Sequence, residues 1–132
     1  MIGLAEIKDW LKTFQVADYY YIGKLDNKKP RSLGVYQRRP SGSARIAIGG
    51  KENTKYDEKQ ISVLLHWTNN ARETEEAAFS LFEKLQDLTN ITIGDTHVYF
   101  VRVEVPEPID VGTDASGVYE RVIWLDLIYE RS

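Results

Sequence analysis

The chain has 132 residues, 42% of them hydrophobic and 28% charged, with a net charge of −3 and no cysteine. That length suits one domain, and the composition is globular rather than disordered. It excludes disulfides, thiolate chemistry and Cys-containing zinc sites, and the acidic balance gives no general attraction to nucleic acid or anionic membrane.

The first residues, MIGLAEIKDW, lack a basic flank and a long apolar run, so no signal peptide is expected, and no stretch approaches the roughly 20 apolar residues of a membrane span. Leu4, Ile7, Leu11 and Phe14 recur at helical spacing and predict an amphipathic helix over about 2–16. DYYYIGKL reads as a strand, DNKKPRS as a turn, and SLGVYQRR and ARIAIGG as two further strands. Together they suggest a three-stranded antiparallel meander. Residues 49–59, GGKENTKYDEK, read as a polar loop.

ISVLLHW is the next strand. Ala78, Leu81, Phe82, Leu85 and Leu88 then predict a helix over about 71–88, opened by Asn70 with Glu73 as a capping-box variant. Glu73, Glu75 and Glu76 fall near its positive end. A short strand fits ITI at 91–93, with Gly94-Asp95 as the turn. HVYFVRVEV follows, with His97, Tyr99, Val101, Val103 and Val105 on one face. PEPIDVGTDASG reads as a long irregular loop. The last strand spans Val118–Tyr129. The pattern predicts one α+β domain over 1–132: a mostly antiparallel sheet with two helices packed on the same face.

That last strand is apolar on both sides. Val118, Val122, Trp124 and Ile128 share one face; Tyr119, Ile123, Leu125, Leu127 and Tyr129 share the other. Two readings are open. A neighbouring subunit covers the second face, making Val122, Trp124 and Ile128 a subunit interface, or the chain covers it itself.

Two blocks, SVLLHWTNNARETEEAA and PIDVGTDASGVYERVIWLDLIYER, resemble small phage and prophage proteins of the tail-terminator or minor-capsid family. The likeness runs over most of the chain, and the region from Ile22 to Asn53 contributes little to it. The resemblance implies a non-enzymatic structural protein that caps the growing tail as a hexameric ring. Its partners would be further copies of itself, tail-tube proteins and head-completion proteins. Its place would be the host cytoplasm during assembly and the head–tail junction of the virion. It implies no catalytic residue and no cofactor.

The remaining chemistry is sparse. His66 and His97, the only histidines, sit in predicted strands without metal-ligand spacing, and there is no GxSxG elbow. Gly112, Asp114 and Gly117 lie in VGTDASG, which precedes a strand rather than the helix a phosphate loop requires. Lys28, Lys29, Arg31, Arg38, Arg39 and Arg45 cluster in sequence. They form either a solvated rim or a surface facing DNA in a ring lumen through phosphate contacts. The acids of the second helix are solvated or meet the basic loops of a neighbour. The alternatives to the assembly protein are a nucleic-acid-binding module using the basic loops, or a small enzyme using His66 or His97.

Overall fold

Helix α1 (Leu4–Lys12) forms where the sequence repeats apolar residues every third and fourth position, and it buries Ile7 and Leu11 completely. The computed structural model describes residues 2–38 and 55–131. The helix ends earlier than its periodicity predicts. The Thr13 hydroxyl turns back to the Trp10 carbonyl at 2.5 Å, and Gln15 adopts φ 56°, outside helical space.

Strands β1 (Tyr19–Ile22) and β2 (Ser32–Gln37) follow. They pair in parallel, Tyr19 with Ser32 through Ile22 with Val35. The antiparallel arrangement expected for them is therefore incorrect. Segment 23–31 does not fold as a hairpin turn. It crosses one face of the sheet and returns the chain to the level where β1 began. Leu25 in this crossover is buried against Gly34, where an added Cβ would lie 2.9 Å from Leu25 Cδ2 and 3.0 Å from Tyr36 Cε1. Only glycine lets the crossover approach so closely. The third strand expected at 44–50 lies outside the described residues, as do Arg39 and Arg45.

Strand β3 (Tyr56–His66) is longer than its apolar run. Residues 56–59, expected to belong to a loop, pair with the last strand from Tyr56 opposite Glu130 to Lys59 opposite Leu127. Backbone pairing, not apolar alternation, makes them a strand.

Helix α2 (Ala71–Leu85) buries Ala78, Leu81, Phe82 and Leu85, as the spacing predicts, and Thr74 with them. The Glu73 amide donates to Asn70 Oδ1 at 3.0 Å. The capping box is half made: the Glu73 carboxylate instead receives Arg31 at 2.7 Å. The helix stops three residues short of expectation, and Asp87 reverses the chain at φ 60°.

Strands β4 (Thr89–Ile93) and β5 (Thr96–Val103) form a hairpin. Gly94 opens its two-residue turn at φ +59°, and a Cβ there would collide with the Glu6 carboxylate. A register shift between Val98 and Phe100 breaks the single face expected for β5. Val98 and Val101 both point into the core, so His97 and Tyr99 do not share a face with Val101 throughout. Strand β6 (Ile109–Thr113) occupies the middle of the supposed irregular loop and pairs with β7 (Tyr119–Glu130).

The sheet has seven strands among the described residues, in the order β1-β2-β3-β7-β5-β4, with β6 also paired to β7. Strands β5 and β6 lie end to end along one side of β7, opposite its 125–129 and 119–122 portions respectively. Among the described strands, only the β1–β2 pair is parallel. Both helices cover one face, where Leu33, Val35, Ile61, Val63, Leu65, Ile123, Leu125 and Leu127 join α1 and α2 in a single apolar cluster. Helix α1 touches β1 and β2 near one edge and β4 at the other, so the sheet curls around it.

Candidate interaction surface

The face opposite the helices divides into two halves. At the His66 end the chain covers the sheet itself. His66 is buried; its Nδ1 lies 2.9 Å from the Glu120 carboxylate and its Nε2 lies 3.1 Å from the Asn27 carbonyl. The imidazole thereby ties β3 to β7 and to the 23–31 crossover. Asp114 Oδ2 stands 3.9 Å away. Asp114 also closes the β6–β7 turn by accepting from the Ser116 and Val118 amides. Those amide bonds, with the Val118 amide foremost, hold its carboxyl below the usual range, and His66 acts in the same direction. His97 stacks edge-on against Tyr99, with centroids 5.0 Å apart. Among the described residues, no group of three or more His, Asp or Glu is arranged to hold a metal ion.

The other half is open. Trp124 keeps 40% of its surface in water, Phe100 39% and Tyr56 39%. Phe100 and Tyr56 border a hollow of about 320 Å³, lined also by Glu58, Tyr99, Arg102 and Ile128. Of the three interface candidates on β7, Trp124 is exposed and Val122 half-buried, whereas Ile128 is only 4% exposed and sits between Glu58 and Phe100. The alternation of β7 is as expected. The odd-numbered residues Ile123, Leu125 and Leu127 are fully buried under the helices.

Asp126 organises this open half, and sequence reasoning passed over it. It is 2% exposed, with Arg38 Nη2 2.5 Å from one oxygen and Arg102 Nη2 2.9 Å from the other. Burial disfavours its charge, but the hydrogen bonds it accepts from Arg102 and Arg38 outweigh that and hold the carboxyl below its ordinary range. The hydrogen bond that Arg102 donates to Asp126 likewise raises Arg102 above the ordinary guanidinium value. Arg102 also bonds Glu104 and approaches Glu58 at 3.6 Å. The Arg38 guanidinium lies over the Trp124 ring, 5.3 Å from its centroid. The signal available in the sequence was one acid inside the apolar run IWLDLIY, which needs basic partners if buried.

Among the described residues, the basic ones do not form one patch. Arg31 and Arg38 flank opposite ends of β2. Arg31 is paired with Glu73 and Arg38 with Asp126. Lys29 lies over the Tyr19 ring, and Lys28 is exposed in the crossover. Three acids of the first turns of α2 are likewise engaged within the chain: besides Glu73, Glu75 meets Arg121 at 3.0 Å, and Glu76 approaches Arg72 at 3.9 Å.

One sheet face covered by helices, and another presenting exposed aromatic rings beside arginines, define a small α+β domain whose free surface has the composition of a protein contact. The chain matches the model of the bacteriophage tail terminator protein family over residues 5–131, and it belongs to that family. A search of curated proteins found no match. The family is of a structural, non-enzymatic kind and makes the protein a phage component. No helix among the described residues is long and apolar enough to cross a membrane.

Proposed function

We propose that the protein ends the phage tail as a closed ring of copies at the head–tail joint, offering one surface to the tail tube and another to head-completion proteins. Family membership over nearly the whole chain carries this reading. The open half of the sheet supports it: Phe100 and Tyr56 are exposed at the rim of a hollow and Trp124 is exposed further along the same face, the kind of aromatic exposure that marks a protein contact. In this reading Trp124 and Val122 meet a neighbouring subunit, while Ile128 supports the patch from beneath. Among the described basic residues, contact with DNA in the ring lumen would fall to Lys28 and Lys29, because Arg31 and Arg38 are paired with acids of the chain; Arg39 and Arg45 lie outside the described residues. Such contact would read phosphates and not sequence.

The test is tail assembly in the absence of this protein, followed by its addition. Without it, tails are expected to overgrow or to fail to accept heads, and the purified protein should restore both. Tails of normal length that join heads without it would refute the assignment.

A further inference from the structure

Following the residue pairings across the sheet shows that its two lower edges are level. Tyr19 of β1 lies in one row with Ser32, His66, Glu120 and Gly112. Tyr20 shares a row with Leu33, Leu65, Arg121 and Asp110, and Tyr21 shares one with Gly34, Leu64, Val122 and Ile109. Strands β1 and β6 therefore stand at the same height on opposite sides. Strand β1 runs parallel to β2, β2 opposes β3, β3 opposes β7, and β7 opposes β6. It follows that β1 and β6 run in opposite directions. Each carries one unpaired edge among the described residues.

Their side chains and charges also complement each other. Tyr19 and Ile22 on β1 are 40% and 47% exposed, and Val111 on β6 is 49% exposed. Exposed lysines flank β1: Lys24 follows its end, and Lys29 lies over Tyr19 at its start. Acids flank β6: Glu107 precedes it, and Asp110 within it is 59% exposed despite approaching Arg121 at 3.9 Å.

We propose that successive copies join edge to edge, β6 of one adding antiparallel to β1 of the next. Lys24 would face Glu107, and Lys29, lying over Tyr19, would stand one row from the neighbour's Asp110, which is level with Tyr20. An exposed edge offers main-chain groups for such addition, and opposed charges fix its register. Because the two edges differ, the contact is heterologous, as a cyclic ring requires. The proposal rests on the ring reading above and specifies which surfaces meet. It also leaves the Trp124 face available for further contacts in the assembly.

Charge reversal tests it. One variant carries Lys24→Glu with Lys29→Glu, the other Glu107→Lys with Asp110→Lys. Each alone is expected to lose self-association by at least about tenfold, since like charges then face each other. An equimolar mixture should recover it, because the reversed β1 edge of one variant then faces the reversed β6 edge of the other, and their two unaltered edges face each other. A second measurement uses the absence of native cysteine. Tyr19→Cys combined with Val111→Cys should oxidise to a ladder of linked copies. Four inter-strand gaps of about 4.8 Å place the two positions roughly 19 Å apart within one chain, too far for an internal disulfide.

Recovery in the mixture together with the ladder supports edge pairing. Reversed variants that associate like the parent, folded variants whose mixture stays dissociated, or an assembled double-cysteine protein with no ladder would overturn it. A parent chain that never associates, alone or on tail tubes, would instead remove the ring reading, and edge pairing with it.

Discussion

Neighbouring residues of β7 occupy opposite environments. Ile123, Leu125 and Leu127 are fully buried against two helices, while Trp124 between them is 40% exposed on the other face. Both sets look alike in sequence, since each is apolar. They differ in what lies above them. The helix side is filled by α1 and α2, whose apolar stripes match the sheet. The other side is filled at one end by the 23–31 crossover and the β6–β7 turn, and at the other by an ionic layer around Asp126. Apolar side chains on a strand therefore specify burial only where another element supplies a matching surface. Where none does, they are available to another molecule.

The helix-covered face should tolerate the least. Phe82 is 5% exposed and sits in the central cluster. Phe82→Ala is expected to cost about 3–5 kcal/mol of stability through lost burial and the cavity left behind. Thermal or denaturant unfolding measures it directly. A loss below about 1 kcal/mol would mean that this face collapses around the gap and is not the rigid side of the comparison.

On the other face the largest effect belongs to Asp126. Asp126→Asn leaves Arg38 and Arg102 facing each other without their shared anion. Breaking a buried ion pair typically costs about 3–5 kcal/mol; Arg102 is one-third exposed, so about 2–3 kcal/mol is expected here. The pH dependence has a definite sign. The folded-state carboxyl lies below its ordinary value, so its contribution is present above the unfolded value near about 3.9 and is lost as pH falls through the depressed folded value. The parent should therefore lose more stability than Asp126→Asn as acid is added across that range. Parallel acid profiles would show that Asp126 does not stabilise the fold as an anion.

How legible each region was follows the same division. The inward faces of α1, α2, β3 and β7 could be read because periodicity reports burial against the chain's own core, and Ala78, Leu81, Phe82 and Leu85 face it as their spacing requires. The additional strand residues 56–59 and 109–113 could not be read that way. Their order comes from backbone pairing with β7, which leaves no apolar signature. The parallel β1–β2 pair was hidden because segment 23–31 contains ordinary turn residues, and its path depends on Leu25 packing over Gly34 from outside the strands. Trp124 was legible as an outward residue. The Arg38–Asp126–Arg102 bridge was not, since its members are separated by 88 and 24 positions and only the register unites them.

The smallest stability effect is expected at Trp124, and it separates the two faces most sharply. The indole retains 40% of its surface in water, so it contributes less burial than a core ring of similar size. Its stacking with Arg38 adds about 0.5–1 kcal/mol. Trp124→Ala should therefore cost about 1–2 kcal/mol of monomer stability, less than Phe82→Ala. Assembly should respond differently. An exposed tryptophan at the centre of a contact typically contributes 2 kcal/mol or more of binding, enough for at least a roughly thirtyfold loss of affinity. Stability and incorporation into tails are to be measured on the same preparation, with Phe82→Ala as the reference for a purely internal defect. If Trp124→Ala is incorporated normally while its melting temperature falls as steeply as that of Phe82→Ala, the ring belongs to the monomer's own packing. The open half of the sheet would then not be a contact surface, and subunit association would have to rest on the strand edges alone.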